Sequence, residues 1–275
     1  MRTAVVGHVE WVEFAAVERV PAPGEIVAAR RTFDEPAGGG GVAAVQLARL
    51  AGGCTLYTAL GDDEQGRRSR DRLAELGVEV AAATRRGAPT RRALTFVDDA
   101  GERTIVVLGE RLQPVAGDAL PWAALAAADA VYFTAGDAAA LRAARAARTL
   151  VATARARDAI AEARVELDAL VGSAVDPAER CEGIDPEPRL VVETAGAEGG
   201  GWHAPGGRGG RFAAVQPSDP AGDAYGCGDS FAAGLTFALA SGRDVESSLE
   251  LAARCGAECS RGTGPYERQL TLAAR

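Results

Sequence analysis

Gly226-Cys227-Gly228-Asp229 runs directly into Ser230-Phe231-Ala232-Ala233-Gly234-Leu235-Thr236-Phe237-Ala238-Leu239, and this junction restricts the fold more than any other stretch. The small, apolar run has helical spacing, so the two glycines must make a tight turn at a helix N-terminus. Such an end gathers unpaired N–H groups and the positive pole of the helix dipole, which together form an anion site. An aspartate at that mouth is out of place in a pure anion binder. It suits a group that takes a proton from a hydroxyl attacking a bound phosphate. The plainer reading is a glycine-rich turn with Asp229 as a capping acid.

Around this junction the pattern predicts an α/β chain. Thr3–Val6 reads as a buried strand, and Val9–Val20 as a further strand ended by Pro21-Ala22-Pro23-Gly24. Gly38–Gly41 open a helix expected from Val42 to about Leu50. Strand, helix and strand follow at 54–60, 63–76 and 78–83. Ala93–Val97 and Thr104–Leu108 flank an Asp/Gly turn and read as a hairpin. From about residue 110 strand and helix alternate (130–133 strand, 137–148 helix, then runs at 150–154, 169–171 and 190–193), which predicts βαβ units and a largely parallel sheet. Gly196–Gly210 is expected to be a loop or hairpin, and the residues after Pro265 a loose tail.

Composition narrows the chemistry. All 30 basic residues are arginine, so Walker A, Schiff-base and general-base lysines are excluded. Phosphate must be handled by backbone N–H groups, arginine or metal. A net charge of −8 argues against a nucleic-acid partner. The Arg-Arg pairs at 30–31, 67–68, 85–86 and 91–92 read as solvated surface. The five scattered cysteines form no CxxC and indicate neither zinc nor a disulfide framework. Cys255 and Cys259 share a helix face as core filler. No apolar run reaches the ~18 residues of a membrane span, and a reducing, cytoplasmic setting is expected. The sequence lacks the Gly-x-Gly-x-x-Gly after the first strand that a dinucleotide oxidoreductase needs. Its two histidines, His8 and His203, offer no hydrolase triad.

The stretch 223–231 resembles the second signature of the ribokinase-like (PfkB) sugar kinase family, Asp-Thr-Thr-Gly-Ala-Gly-Asp-x-Phe. The match is Asp223, Gly226, Gly228, Asp229 and Phe231; Ala224, Tyr225 and Cys227 depart from it. The resemblance extends to Pro21–Glu25, to Gly38-Gly39-Gly40-Gly41-Val42-Ala43, to Gly61–Gly66, to the paired strands of 90–107 and to Thr194-Ala195-Gly196-Ala197-Glu198-Gly199. It implies a single three-layer α/β/α domain over 1–275, with a largely parallel central sheet and a small β-sheet lid. The lid strands would come from Glu10–Val20, Ile26–Phe33, Ala93–Val97 and Thr104–Leu108, and would pair two subunits as a homodimer.

The implied reaction is ATP-dependent phosphoryl transfer to a hydroxymethyl group of a sugar or sugar-like molecule. The alternatives are a non-catalytic sugar- or nucleotide-binding protein on the same fold, and a nucleoside kinase. Asp229 would be the base, with the N–H groups of Gly226, Cys227 and Gly228 holding the transferring group. Glu10, Gly38, Gly39, Gly40 and Ala43 would contact the substrate. Ala43 stands where the family has asparagine, and the family's sugar-binding aspartate falls on Val12. Glu10 shares a strand face with Val12, whereas Glu13 does not, so Glu10 is the better substitute. Thr194, Gly196, Gly199, Asp223 and Cys255 would serve the nucleotide. Asp176, aligned through Ser173-Ala174-Val175-Asp176 with an Asn-x-x-Glu motif, would hold Mg²⁺ through water. A monovalent cation such as K⁺ is an optional addition. His8, beside the substrate strand, suits either substrate contact or a structural role, and Trp11 suits packing better than a wall for a ring substrate.

Overall fold

The computed structural model describes residues 1–216 and 222–272. Strand β1 (Thr3–Val6) shows how the layers arise. Val5 belongs to one apolar cluster, while Ala4 and Val6 belong to another on the opposite face. Successive side chains of a strand point to opposite faces, so a strand apolar throughout must be covered twice.

β1 lies inside a nine-stranded sheet with β4 (Cys54–Gly61), β5 (Val78–Arg85), β8 (Ala130–Phe133), β9 (Thr149–Thr153), β10 (Ala169–Ser173), β11 (Val191–Thr194), β12 (Gly200–Ala204) and β13 (Arg208–Phe212). The order is β13-β12-β11-β10-β9-β8-β1-β4-β5. Every pairing from β11 through to β5 is parallel, and β12 pairs antiparallel with both β11 and β13. Helices α1 (Gly38–Ala51), α2 (Glu64–Glu75), α5 (Cys227–Ala240) and α6 (Val245–Cys259) supply Val45, Leu73, Leu235 and Leu251 to one cluster. Helices α3 (Ala138–Ala144) and α4 (Arg157–Ala163) supply Leu141 and Ile160 to the other. The result is the expected three-layer sandwich.

A second, four-stranded sheet forms the lid. Its strands β2 (Glu10–Ala16), β3 (Arg31–Ala37), β6 (Arg92–Val97) and β7 (Arg103–Leu108) are ordered β3-β2-β6-β7. Two expected boundaries are corrected. The first lid strand ends at Ala16, not Val20. The second is Arg31–Ala37, not Ile26–Phe33, and Ile26 is fully exposed. The Thr32–Pro36 stretch is poor in β-formers, and tertiary partners decide it. It pairs with β2, and α2 fastens it through Arg72–Glu35 (2.8 Å) and Arg68–Asp34 (3.2 Å).

Three further boundaries moved. α1 begins on Gly38 itself rather than Val42, α3 stops at Ala144 rather than Arg148, and the segment after Pro265 is held down as far as it is described. The buried Tyr266 donates its hydroxyl to the Pro36 carbonyl (2.5 Å). Gln269 donates to the Val42 carbonyl, and the carbonyls of Tyr266 and Leu270 accept from Arg49 and Gln46 of α1.

Candidate active site

A cleft of about 410 Å³ opens at the carboxyl ends of the central strands. His8 follows β1 and Thr134 follows β8, while Thr153, Gly172 and Thr194 stand at or near the ends of β9, β10 and β11. The sheet order reverses between β1 and β8, and such a switch point leaves a crevice for ligands. From the lid, Ile105 and Val107 of β7 reach the same space.

Two helix N-termini meet at the cleft floor. Gly226 caps α5 with φ +80°, and a Cβ there would lie 2.9 Å from Val42, so the turn demands glycine. The N–H groups of Cys227, Gly228 and Asp229 fall in the first turn, where no intrahelical acceptor exists. A Cβ added to Gly39, in the first turn of α1, would approach Asp229 Oδ1 to 3.0 Å. Asp229 is thus wedged between two positive helix poles. Burial pushes its carboxyl up to about 6; Glu179 pushes the same way, and Arg103 and Arg155 pull it back. A carboxylate that ionises near neutrality beside a ring of free N–H groups is equipped to accept a proton from a hydroxyl.

The other end of the cleft is polar and cationic. Glu10 is buried there, and Arg91 Nε lies 3.4 Å from its carboxylate. Burial raises the Glu10 pKa, against Arg91, Arg111 and the Tyr225 hydroxyl. Tyr225 is itself buried, edge-on to Phe14 at 4.9 Å, so its ring extends the lid's apolar face under the substrate space. His8 is held neutral, its pKa lowered to about 3 by burial and by Arg111, Arg91 and Arg155. Four arginines line the cleft: Arg91, Arg103, Arg111 and Arg155.

The comparisons agree with this geometry. A model of the pfkB family of carbohydrate kinases matches residues 2–271. The chain belongs to that family. An ATP-dependent ribose-1-phosphate kinase of Halopiger xanaduensis is 31% identical over 279 residues, covering 94% of this chain and 91% of that protein. Among solved structures, a candidate ribokinase of Agrobacterium tumefaciens superposes with TM-score 0.83 at 22% identity, over 98% of this chain and 94% of its own. A ribokinase of Arabidopsis thaliana, solved with ribose and ATP, gives TM-score 0.73 at 19% identity, over 94% and 92%.

The pfkB kinase cleft unites Glu10, Gly38, Gly39, Thr194, Gly226, Gly228 and Asp229, as the sequence reading expects. Other expected residues lie elsewhere. Ala43 is buried in the core, and Gly40 is needed where α1 crosses the chain at Gly7 and His8, its Cβ position lying 2.6 Å from the His8 carbonyl oxygen. Cys255 is buried between α6 and α5, where it faces Gly234, and it does not line the cleft. Asp223 is committed to structure, accepting from the N–H groups of Tyr225 (2.8 Å) and Gly264 (2.7 Å). The Cys227 thiol turns toward the Asp223 carbonyl and Cys259, and Cys227 does not line the cleft. Gly196 and Gly199 adjoin Thr194 in a short turn without lining the cleft.

Glu179, and not Asp176, is the carboxylate of this segment that lines the cleft. The Asp176 carboxylate caps a short turn and binds Arg155 (2.6 Å), whereas Glu179 lines the cleft of this pfkB kinase. The spacing Asp176-Pro177-Ala178-Glu179 keeps the x-x-Glu pattern three residues further on, and that shifted register was the available signal. Arg91 is corrected from solvated surface to cleft wall, its side chain 20% exposed. Glu13, by contrast, is exposed and paired with Arg92. Trp11 packs under the Arg68 guanidinium at 4.2 Å and does not line the cleft. Arg103, Arg111 and Arg155 carried no sequence signal, because isolated arginines in an arginine-rich chain look alike.

Proposed function

We propose that this pfkB kinase transfers the γ-phosphoryl group of ATP to a hydroxymethyl group of a sugar or sugar-like acceptor, with Asp229 as the base. One observation carries the reading: Asp229, its pKa pushed up to about 6, stands in the first turn of α5 against Gly39, facing the cleft. The acceptor oxygen bonds to the γ-phosphorus as the bond to the departing ADP oxygen breaks, and the hydroxyl proton passes to Asp229. The free N–H groups at 227–229 stabilise charge gathering on the transferring group. Thr194 and the turn at 196–199 form the nucleotide side. The relative from Halopiger is named for ribose 1-phosphate, a pentose with a free hydroxymethyl group, and this reading accommodates it.

Among the described residues no group of three or more His, Cys, Asp and Glu side chains converges as a direct metal cage. With Asp229 read as the base and Glu10 paired with Arg91, Glu179 is the cleft carboxylate that would hold Mg²⁺, through water, the ion being carried mainly by phosphate oxygens. Bound there, the ion supplies charge neutralisation at the β- and γ-phosphates.

The chain works as one kinase domain paired through its lid. Ile105 and Val107 face the cleft, so Val106 and Leu108, 47% and 45% exposed, face away. Leu94 lies opposite Val106 on that outer face. A second lid covers this apolar surface. No described helix is long and apolar enough to cross a membrane, and five free thiols suit a reducing cytoplasm.

ADP release from ATP, measured over a panel of sugars, sugar phosphates and nucleosides, tests the reading. Acceptor-dependent ADP formation that vanishes in Asp229→Asn is expected; no acceptor-dependent release from any of them overturns it.

A further inference from the structure

We propose that Cys227 and Cys259 are a redox-sensitive pair behind the α5 turn, that peroxide joins them in a disulfide, and that this bond closes the turn to ATP. The cross-link stands on the placement of the two thiols alone; its effect on turnover rests on the kinase reading.

Cys227 sits between the two glycines of the turn, where the family signature has alanine. It faces the last turn of α6, and the two helices are in close contact there. A Cβ added to Gly256 of α6 would lie 3.3 Å from the Cys227 carbonyl oxygen. Cys259 follows three residues later on the same helix face, and its thiol lies against that of Cys227. Cys255 is packed one turn back, against Gly234, which is two turns along α5 from Cys227. Cys259 is therefore the partner in reach. The same thiols hold the loop that leads into the turn, in which three successive carbonyls are tied by side chains. Cys227 donates its S–H to Asp223 (3.9 Å), Arg103 of β7 donates to Ala224 (2.7 Å), and Cys259 donates its S–H to Tyr225 (3.4 Å). Two of the three ties vanish in a disulfide, which has no S–H to donate.

The pair ionises at Cys259. The Cys227 S–H lowers its pKa most, burial opposes this, and the Ser230 hydroxyl lowers it further. The shared bond and burial push the Cys227 thiol up. Cys259 is fully buried and Cys227 only partly, so a small neutral oxidant, hydrogen peroxide, reaches the pair from the Cys227 side. The Cys259 thiolate attacks one peroxide oxygen. The S–O bond forms as the O–O bond breaks, and the departing hydroxide takes up the proton that Cys259 lost. The Cys227 sulfur then attacks the sulfenic sulfur. The S–S bond forms as the S–O bond breaks, and the oxygen leaves as water with the Cys227 proton. The two sulfurs supply two electrons and peroxide becomes two waters; a dithiol reverses the bond. Once cross-linked, Cys227 is drawn toward α6 and the Asp223 and Tyr225 carbonyls lose their donors. The N–H groups of 227–229 then no longer converge on one phosphate.

Peptide mapping of the peroxide-treated chain, with thiol titration after denaturation, reads the bond directly. The wild type should lose two of its five thiols and yield one cross-linked peptide pair joining 227 and 259. Cys259→Ser and Cys227→Ser should yield none, and Cys181→Ser should still form it. Calorimetric titration with ATP should show an affinity lower by ~10- to 100-fold in the oxidised wild type, restored by dithiothreitol. Peroxide should leave the ATP affinity of Cys259→Ser unchanged. By linkage, saturating ATP should disfavour the disulfide by the same factor, measured as the cross-linked fraction in a buffer of reduced and oxidised dithiothreitol. A thiol count that peroxide does not change, or a disulfide between other cysteines, overturns the pair. A Cys227–Cys259 disulfide that leaves ATP affinity unaltered overturns the switch. Redox-dependent ATP binding in a protein that phosphorylates no acceptor supports the switch and sinks the kinase reading alone.

Discussion

Asp229 concentrates the chemistry in one side chain, and its environment makes testable statements about pH. Burial raises its pKa to about 6, so the ionised base accumulates only as pH rises through that value. The acid limb of kcat/KM should therefore have its midpoint near 6. Glu179 is the second cause of the elevation, so Glu179→Gln should move this limb to lower pH; a limb that stays fixed would remove Glu179 from the causes of the elevation. Asp229→Asn should cost ~10²- to 10⁴-fold in kcat. A variant keeping more than about a tenth of the rate would remove Asp229 from the role of base. The same shift has a stability consequence of definite sign. A carboxyl with a raised folded-state pKa binds protons more tightly folded than unfolded. Its contribution favours folding at low pH and is withdrawn as pH rises through about 6. At pH 8 Asp229→Asn should therefore melt no lower than the wild type, which thermal unfolding would reveal.

At the scale of elements, the α5 turn separates fold from function. Gly226 needs its left-handed backbone, and Val42 closes the space where a Cβ would stand. Gly228 is different: nothing lies within 4 Å of its Cβ position, and its backbone is not left-handed. Gly228→Val should fold with near wild-type stability, yet place a branched side chain where the transferring phosphate belongs. Unchanged affinity for ATP and an unchanged rate in that variant would remove the phosphate from this turn.

The Gly61-Asp62-Asp63-Glu64-Gln65-Gly66 motif is a structural device of a comparable kind. Asp63 caps α2 through the Gly66 N–H (2.8 Å) and accepts from the Thr90 N–H (2.7 Å) and hydroxyl (2.6 Å). It therefore ties the main sheet to the start of β6 in the lid. Losing a cap and two half-buried bonds at once, Asp63→Ala should cost about 2–3 kcal/mol in chemical denaturation.

The whole molecule is acidic, with a net charge of −8, yet its cleft is walled by four arginines. Attraction for phosphates is thus local, and strong only where the lid and the sheet edge face one another. The lid's outer face makes a prediction of its own. Light scattering at micromolar concentration should give a dimer for the wild type and a monomer for Val106→Glu combined with Leu108→Glu, whose side chains lie on that face. A monomeric wild type would set the lid-paired dimer aside.

Much of this was legible in the chain. Where an apolar run has one period and a glycine or aspartate marks its end, local physics settles the element, as for β4, α2 and the α5 turn. Asp229 was readable because a helix N-terminus makes an anion site whatever surrounds it. Other features depended on who sits beside whom. Thr32–Pro36 is a strand because β2 and the arginines of α2 hold it, and the tail after Pro265 is ordered because Gln46 and Arg49 bind its carbonyls. Arg91, Arg103, Arg111 and Arg155 come from four separate points of the chain and share no period. The sequence by itself determined the layered α/β order and the place of Asp229 at the helix N-terminus, since both follow from contacts near in sequence. Only the tertiary structure decided that Glu179 rather than Asp176 lines the cleft, that Cys255 is core, and that the arginines converge, because those facts depend on the strand order and on the lid's approach to the sheet.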